Sequence, residues 1–284
     1  MVGLLCAFLI LGKGKHAGHM TRSVALIGYG AIAQAVCAAV SADRALRLNQ
    51  VLVRAGKAAS AQKSLGPHIL AIERIDQLHD DTALVIECAG HGAVRQYGPA
   101  VLQRGIDFAI VSAGALADNA LHQELADACH SGAARLQVLP GAIGGIDAIA
   151  AAGTALDNVI YTARKPPQSW NGSPADQTHD LSRITKATPV FEGTAREAAL
   201  GFPKNANVVA TVALAGIGFD RTAVSLMADP HARGNSHEIK ATGGGYNLRY
   251  ATTGAALVSN PKTSALTAQS VIRAIRGQAP GLIV

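Results

Sequence analysis

Residues 24–34, Val-Ala-Leu-Ile-Gly-Tyr-Gly-Ala-Ile-Ala-Gln, decide the fold. Val24, Ala25, Leu26 and Ile27 form an unbroken apolar run, the pattern of a strand buried on both faces of a parallel sheet. Gly28-Tyr29-Gly30 breaks that run, and Ala31-Ile32-Ala33-Gln34 opens a helical one. This is the G-x-G-x-x-A order of a dinucleotide-binding strand-turn-helix. Gly28 permits the tight turn, Gly30 lets main chain approach a pyrophosphate, and Ala33 lets the helix pack close on the strand. Ala31 and Ile32 begin the helix, whose free N–H groups and positive dipole end face the phosphates. Glycine-rich turns are common, so it is the legible strand before and helix after that give this one meaning.

Working outward, strands are predicted at 48–53, 69–72, 83–88, 108–111 and 136–138, with helices at 31–40, 94–103 and 119–130. Strand and helix in alternation imply a doubly wound parallel sheet of the Rossmann type, with ligands at the carboxyl ends of the strands. The segments at those ends are rich in small residues: Gly28-Tyr29-Gly30, Cys88-Ala89-Gly90-His91, Ser112-Ala113-Gly114-Ala115 and the run Pro140 to Gly145. Ala89 and Gly90 are therefore candidate cofactor contacts. The second strand ends on Arg54, with Lys57 three residues on, where an acidic residue would favour NAD by binding the ribose 2′-hydroxyl. The departure favours NADP, or use of both cofactors, against the plainer reading of a solvated loop arginine.

After Gly145 the pattern changes. A helix at 146–152 leads to a strand at 158–163 and a polar, proline-rich loop at 164–175. Thr194-Ala195-Arg196-Glu197 has capping-box spacing, and an apolar helix at 206–215 follows, capped by Asn205. Strands at 222–228, 237–242 and 246–252, the last two joined across Gly243-Gly244-Gly245, imply a mixed, largely antiparallel sheet in an α+β second domain. A final helix at 264–276 is placed to return to the first domain. The predicted organisation is an N-terminal extension (1–19) that is disordered or a non-native start, a dinucleotide domain (20–140), a catalytic and dimerisation domain (141–259), and a returning C-terminal helix (260–284).

With 284 residues, 49% of them hydrophobic and 15% charged, the chain can bury a large core. Its formal charge of +6 comes from scattered Lys and Arg and, at 4% aromatics, few rings exist to stack on bases, so no nucleic-acid partner is expected. The apolar run 2–11 is too short to span a bilayer, and no membrane partner is expected. Cys6, Cys37, Cys88 and Cys129 have no zinc-ligand spacing, so they read as reduced thiols of a cytoplasmic protein without a metal. Among ten histidines, His237 opens a strand just after the polar turn 233–236, where an imidazole can reach a cleft and manage protons near neutral pH.

Ordered matches extend from 23 to the C-terminus: Glu87-Cys88-Ala89-Gly90-His91, Leu139-Pro140-Gly141-Ala142-Ile143-Gly144, Tyr161-Thr162-Ala163-Arg164-Lys165-Pro166, Pro203-Lys204-Asn205-Ala206-Asn207-Val208, Asn235-Ser236-His237 and Asn260-Pro261-Lys262-Thr263. On these the chain resembles the L-aspartate dehydrogenases. The resemblance implies His237 as the active-site histidine, Ala142 and Asn207 as dinucleotide contacts, and an α+β domain carrying homodimer contacts. It also implies reversible NAD- or NADP-dependent oxidative deamination of L-aspartate to oxaloacetate and ammonia through iminoaspartate, linked to NAD biosynthesis. Two substrate carboxylates need cationic partners. Lys204 leads, preceding a helix start, and Arg164 and Lys165 follow. The rival readings are a cyclic-imine reductase like the dihydrodipicolinate reductases, whose paired histidines and lysine have no counterpart beside His237, and a non-catalytic nucleotide-binding sensor.

Overall fold

The computed structural model describes residues 22–43, 46–203, 207–254, 256–257 and 260–279. The extension 1–19, the candidate Lys204 and the cap Asn205 lie outside the described residues.

The first half builds one layered unit. Its strands are β1 (Ser23–Ile27), β2 (Gln50–Leu52), β3 (Leu70–Ile72), β4 (Thr82–Glu87), β5 (Asp107–Ile110) and β6 (Leu136–Val138). Its helices are α1 (Ala31–Ala42), α2 (Ala58–Gln62), α3 (His91–Gln103) and α4 (Asn119–Gly132). The strands form a six-stranded sheet in the order β3-β2-β1-β4-β5-β6, and every pairing is parallel. The order reverses between β1 and β4, which opens a crevice at their carboxyl ends. Every residue of β1 is buried, as its unbroken apolar run requires. Helix α3 starts at His91, three residues before the apolar spacing indicated, because Gly90 at φ +111° turns the chain directly into the first helical turn.

The second half begins with α5 (Ile146–Ala152), β7 (Asn158–Lys165), α6 (Ala175–Thr178), β8 (Thr188–Thr194), α7 (Ala195–Gly201) and α8 (Asn207–Ala215). It continues through β9 (Ala223–Ala228), β10 (Asn235–Gly243), β11 (Tyr246–Gly254), the short pair β12 (Ala256–Leu257) and β13 (Asn260–Ser264), and α9 (Ala265–Arg276). Its main sheet has the order β11-β10-β7-β9-β8. Pairing is antiparallel except between β7 and β9, which run parallel, so the sheet is mixed.

Two features depart from the sequence reading. Strand β8, which contains Pro189 and Gly193, has no counterpart in it. At a sheet edge a proline gives up no ladder bond, and the register shifts between Pro189 and Phe191. The 164–175 segment is less loop-like than its composition: β7 runs on to Lys165, and the following turn buries Trp170 completely, with Nε1 donating to the Met227 carbonyl at 3.2 Å. The Thr194–Glu197 capping box is present, Thr194 N donating to Glu197 Oε2 at 2.7 Å.

One core cluster runs through both halves, from Ile27 and Phe108 to Tyr161, Trp170 and Leu226. Helix α9 packs on α1, adding Val271, Ile272 and Ile275 to the cluster around Val36 and Val40. Arg196 of α7 crosses the interface, donating to the Ala117 carbonyl and to Asn119 Oδ1 at 2.9 Å while gripping Asp220 with two nitrogens. The two walls of the cleft are thereby fixed to each other.

Candidate active site

At the switch point, two turns meet through their smallest residues. Gly28 has φ +96°, and a Cβ there would sit 2.7 Å from the Ala89 Cβ. Gly30 has nothing within 4 Å of where its Cβ would be, so a ligand can approach bare main chain. It caps α1 without any side-chain bond, which leaves the first-turn N–H groups, beginning at Ala31, to an anion. These features fit a pyrophosphate.

Beside this turn lies a depression of about 510 Å³ lined by Gly28, Tyr29, Gly30, Arg54, Lys57, Ser60 and Ala89. The acid Glu73 is engaged by the neighbouring main chain: its Oε1 accepts the Ala58 N–H at 2.8 Å and its carboxyl is held below the usual range by the amides of Ala58, Gly56 and Lys57. The polar side chains that line the depression are the cations Arg54 and Lys57 and the hydroxyls of Tyr29 and Ser60. Cys88 lines both this depression and a second one of about 260 Å³, so the two adjoin, and together they are termed the trough.

The narrower part lies between the sheets. One wall carries Ile32, Gly90, Ser112 and the Pro140-Gly141-Ala142 turn, and the other carries Lys165, Asn207, Thr211 and His237. Strand alternation explains the second wall. His237 stands opposite Ala163 across β10 and β7, so Tyr161, Ala163 and Lys165, spaced by two, share its face. Arg164 faces the other way: it is partly exposed and pairs with Asp229 at 3.3 Å. Adjacent residues of one strand cannot both reach the cleft, so of Arg164 and Lys165 the structure brings Lys165 alone to His237.

The chemistry of this face follows from its burial. The Tyr161 hydroxyl and His237 Nδ1 are 2.6 Å apart, and the two side chains are 0% and 5% exposed. Burial holds Tyr161 well above the ordinary phenol value, so its hydroxyl stays protonated. Burial, and then the charge of Lys165, push His237 down to about 4, and burial brings Lys165 down to about 8. The Lys165 ammonium lies 5.3 Å from the Trp170 ring centre, a cation–π contact. With Nδ1 engaged by Tyr161, Nε2 is the ring nitrogen that His237 offers to the cleft. At neutral pH the wall therefore combines a neutral imidazole with a lysine that is largely charged.

Glu87 holds the opposite wall together. Fully buried at the end of β4, it accepts the N–H groups of Ala89 and Gly90, both at 2.6 Å, and of Ser112 at 3.1 Å, with the Ser112 hydroxyl at 3.0 Å. Burial raises its pKa against the pull of these donors. Sequence reasoning gave Glu87, Tyr161 and Ser112 no role. A lone acid closing an apolar strand and a tyrosine at even spacing from Lys165 were the available signals.

Among the described residues no group of His, Cys, Asp and Glu could hold a metal ion, and no helix is long and apolar enough to cross a membrane.

Comparison with known proteins agrees with this geometry. Residues 147–278 match the model described as aspartate dehydrogenase, C-terminal, and residues 28–139 match the NAD binding domain of homoserine dehydrogenase. The chain is 45% identical to an L-aspartate dehydrogenase of Cupriavidus taiwanensis over 90% of its own length and 97% of the relative's. With one from Pseudomonas aeruginosa it shares 41% identity, covering 92% and 99%. Among solved structures, the aspartate dehydrogenase of Thermotoga maritima superposes with TM-score 0.74 at 26% identity, covering 93% of this chain and 99% of that one.

Proposed function

The chain belongs to the aspartate dehydrogenase family, and from that premise we propose how its residues divide the work. It is an NAD(P)-dependent oxidoreductase acting on the CH–NH2 group of L-aspartate, giving oxaloacetate and ammonia. Gly28, Gly30, Ala31, Ile32, Ala89, Gly90, Ala142 and Asn207 would hold the dinucleotide along the trough, with Arg54 at its adenosine end. When bound, the nicotinamide would supply the acceptor for a hydride from Cα of the substrate in its neutral-amine form, which leaves protonated iminoaspartate.

His237 then acts on water. In the tautomer that carries its proton on Nδ1 and donates it to the Tyr161 oxygen, the Nε2 lone pair faces the cleft and takes a proton as the water oxygen bonds to the imine carbon. The imidazolium returns that proton to the amine nitrogen, the C–N bond breaks to release ammonia, and the now neutral Nε2 takes the proton of the remaining hydroxyl as the carbonyl forms. A ring with a pKa near 4 in the empty cleft is a weak base. Burial is the larger cause of that depression and the Lys165 charge the lesser; substrate carboxylates beside Lys165 would offset the lesser one and so raise the basicity of His237 in part.

Lys165 is the leading partner for a substrate carboxylate, and Lys204 is retained as the second. Arg164, on the far face, is assigned to structure. Arg54 and Lys57, without a free acid beside them, support binding of NADP as well as NAD. The outer face of the second sheet leaves Ile160 45% exposed, which supports a homodimer formed there. The free thiols Cys37, Cys88 and Cys129 suit a cytoplasmic location.

The observation that carries this reading is His237 and Lys165 on one buried face beside the Gly90 and Ala142 turns. Reduced-nicotinamide absorbance, followed with oxaloacetate and ammonia, tests it. His237→Ala should lower kcat by about 10² to 10⁴ while the Kd for NADH holds. Undiminished turnover would remove His237 from the chemistry.

A further inference from the structure

We propose that His91 is a positioning residue for the cofactor: it sets the side-chain amide of Asn207 so that the NH2 group is what the amide offers to the dinucleotide. The inference rests on the reading that Asn207 touches the dinucleotide.

Three groups fix the amide. Asn207 Oδ1 lies 3.2 Å from the main-chain nitrogen of Gly114 and 2.8 Å from His91 Nε2. A main-chain N–H can only donate, so the Asn207 atom facing Gly114 is its oxygen and not its nitrogen. The same oxygen faces the imidazole, so His91 Nε2 must carry a proton and donate as well. Both lone pairs of the oxygen are then used, and the amide has its two N–H donors left for a ligand. Those suit a ribose hydroxyl, a phosphate oxygen or a carboxamide carbonyl, all acceptors found on a dinucleotide.

The surroundings are shaped to this contact. A Cβ on Gly114 would stand 2.7 Å from the His91 ring and 3.0 Å from Asn207 Oδ1, so glycine is what admits both partners. His91 opens α3 and Gly114 follows β5, both at the carboxyl edge of the first sheet, whereas α8 begins with Asn207 beneath the second. The contact therefore joins the two walls across the trough. Asn207 lines the narrow depression, while His91 sits behind it in a separate recess with Arg95 and Leu121.

The test measures the Kd for NADH by nucleotide fluorescence, with kcat measured alongside, for His91→Ala, His91→Gln, Gly114→Ala, Asn207→Ala and the double variant H91A/N207A. Thermal unfolding confirms that each is folded. Asn207→Ala and His91→Ala should each weaken NADH binding about tenfold, and the double variant should be no weaker than Asn207→Ala. His91→Gln, which places an N–H near the position of Nε2, should restore most of the loss. Gly114→Ala, which crowds the ring without removing it, should reproduce the His91→Ala defect and carries the test if that variant does not fold. Wild-type affinity in His91→Ala and Gly114→Ala, a His91→Gln as weak as His91→Ala, or additive losses in the double variant would each overturn the proposal. Unchanged affinity in Asn207→Ala would instead overturn the assignment of Asn207 on which the proposal stands.

Discussion

Replacing Tyr161 by Phe removes one oxygen from the protein and isolates a single bond, that to His237 Nδ1 at 2.6 Å. Both partners are buried, so no water takes the hydroxyl's place without rearrangement, and Nδ1 is left unpaired. An orphaned buried polar atom costs about 1–3 kcal/mol. At roughly 2–4 °C per kcal/mol for a chain of this size, the unfolding midpoint should fall by several degrees. The catalytic cost is separate. Without its partner the imidazole can rotate or hold its proton on Nε2, where it cannot accept one from water. Losing an outer partner of a working histidine costs about tenfold to a hundredfold, and a ring locked in the wrong tautomer costs up to about 10⁴. We expect kcat for reductive amination of oxaloacetate to drop within that range, with the Kd for NADH unchanged, since Tyr161 lines neither depression of the trough. A variant that loses stability but keeps wild-type kcat would refute the assignment of Tyr161 as the group that orients His237. A variant whose main defect is in NADH binding would refute the geometry on which it rests.

Three further expectations follow. His237 is held near 4 when folded and titrates near 6.5 when unfolded, so only the unfolded chain takes up that proton as pH falls from 6.5. Stability should decline across the window from 6.5 to 4 by up to about 3 kcal/mol, and urea titrations should show this slope in the wild type and lose it in His237→Gln. If Lys165, near 8, is the proposed carboxylate partner, it binds only while protonated, so the KM for oxaloacetate with ammonia saturating should be level below pH 8 and climb above it. An equal climb in Lys165→Met would assign it to another group. Arg54→Glu should raise the NADPH-to-NADH ratio of Kd values by about tenfold or more, and an unchanged ratio would remove Arg54 from cofactor choice.

Much of the fold was legible because the parallel strands are short apolar runs closed by small residues, and main-chain geometry alone dictates where these meet. The glycine turn at residues 28–30 and the strand-end turns at Ala89 and Ala142 could therefore be placed from spacing. His237 is a candidate by position, a titratable ring that opens a strand after a polar turn, and the family resemblance is what singles it out among ten histidines. What the sequence does not show is anything that depends on which way a side chain points. Arg164 and Lys165 look equivalent in the sequence, and only the register of β7 against β10 separates the structural cation from the cleft one. Tyr161 and Glu87 read as ordinary strand residues until their partners, 76 and 25 positions away, are brought alongside. β8 was hidden because proline and glycine are breakers in the middle of a sheet and harmless at its rim.

Glu87 also bears on how the cofactor loops come to exist. Its carboxylate has no compensating cation among its four bonds; what solvates it is the main chain of the turns after β4 and β5 and one serine hydroxyl. A half-assembled molecule with β4 already packed and those loops still open would strand that charge in an apolar interior, a state costing several kcal/mol. The loops are thus tied to the strands in one cooperative step, so the amide hydrogens of Ala89, Gly90 and Ser112 should exchange with solvent as slowly as those at the centre of the sheet. The nucleotide would then meet a receptor already set before it arrives.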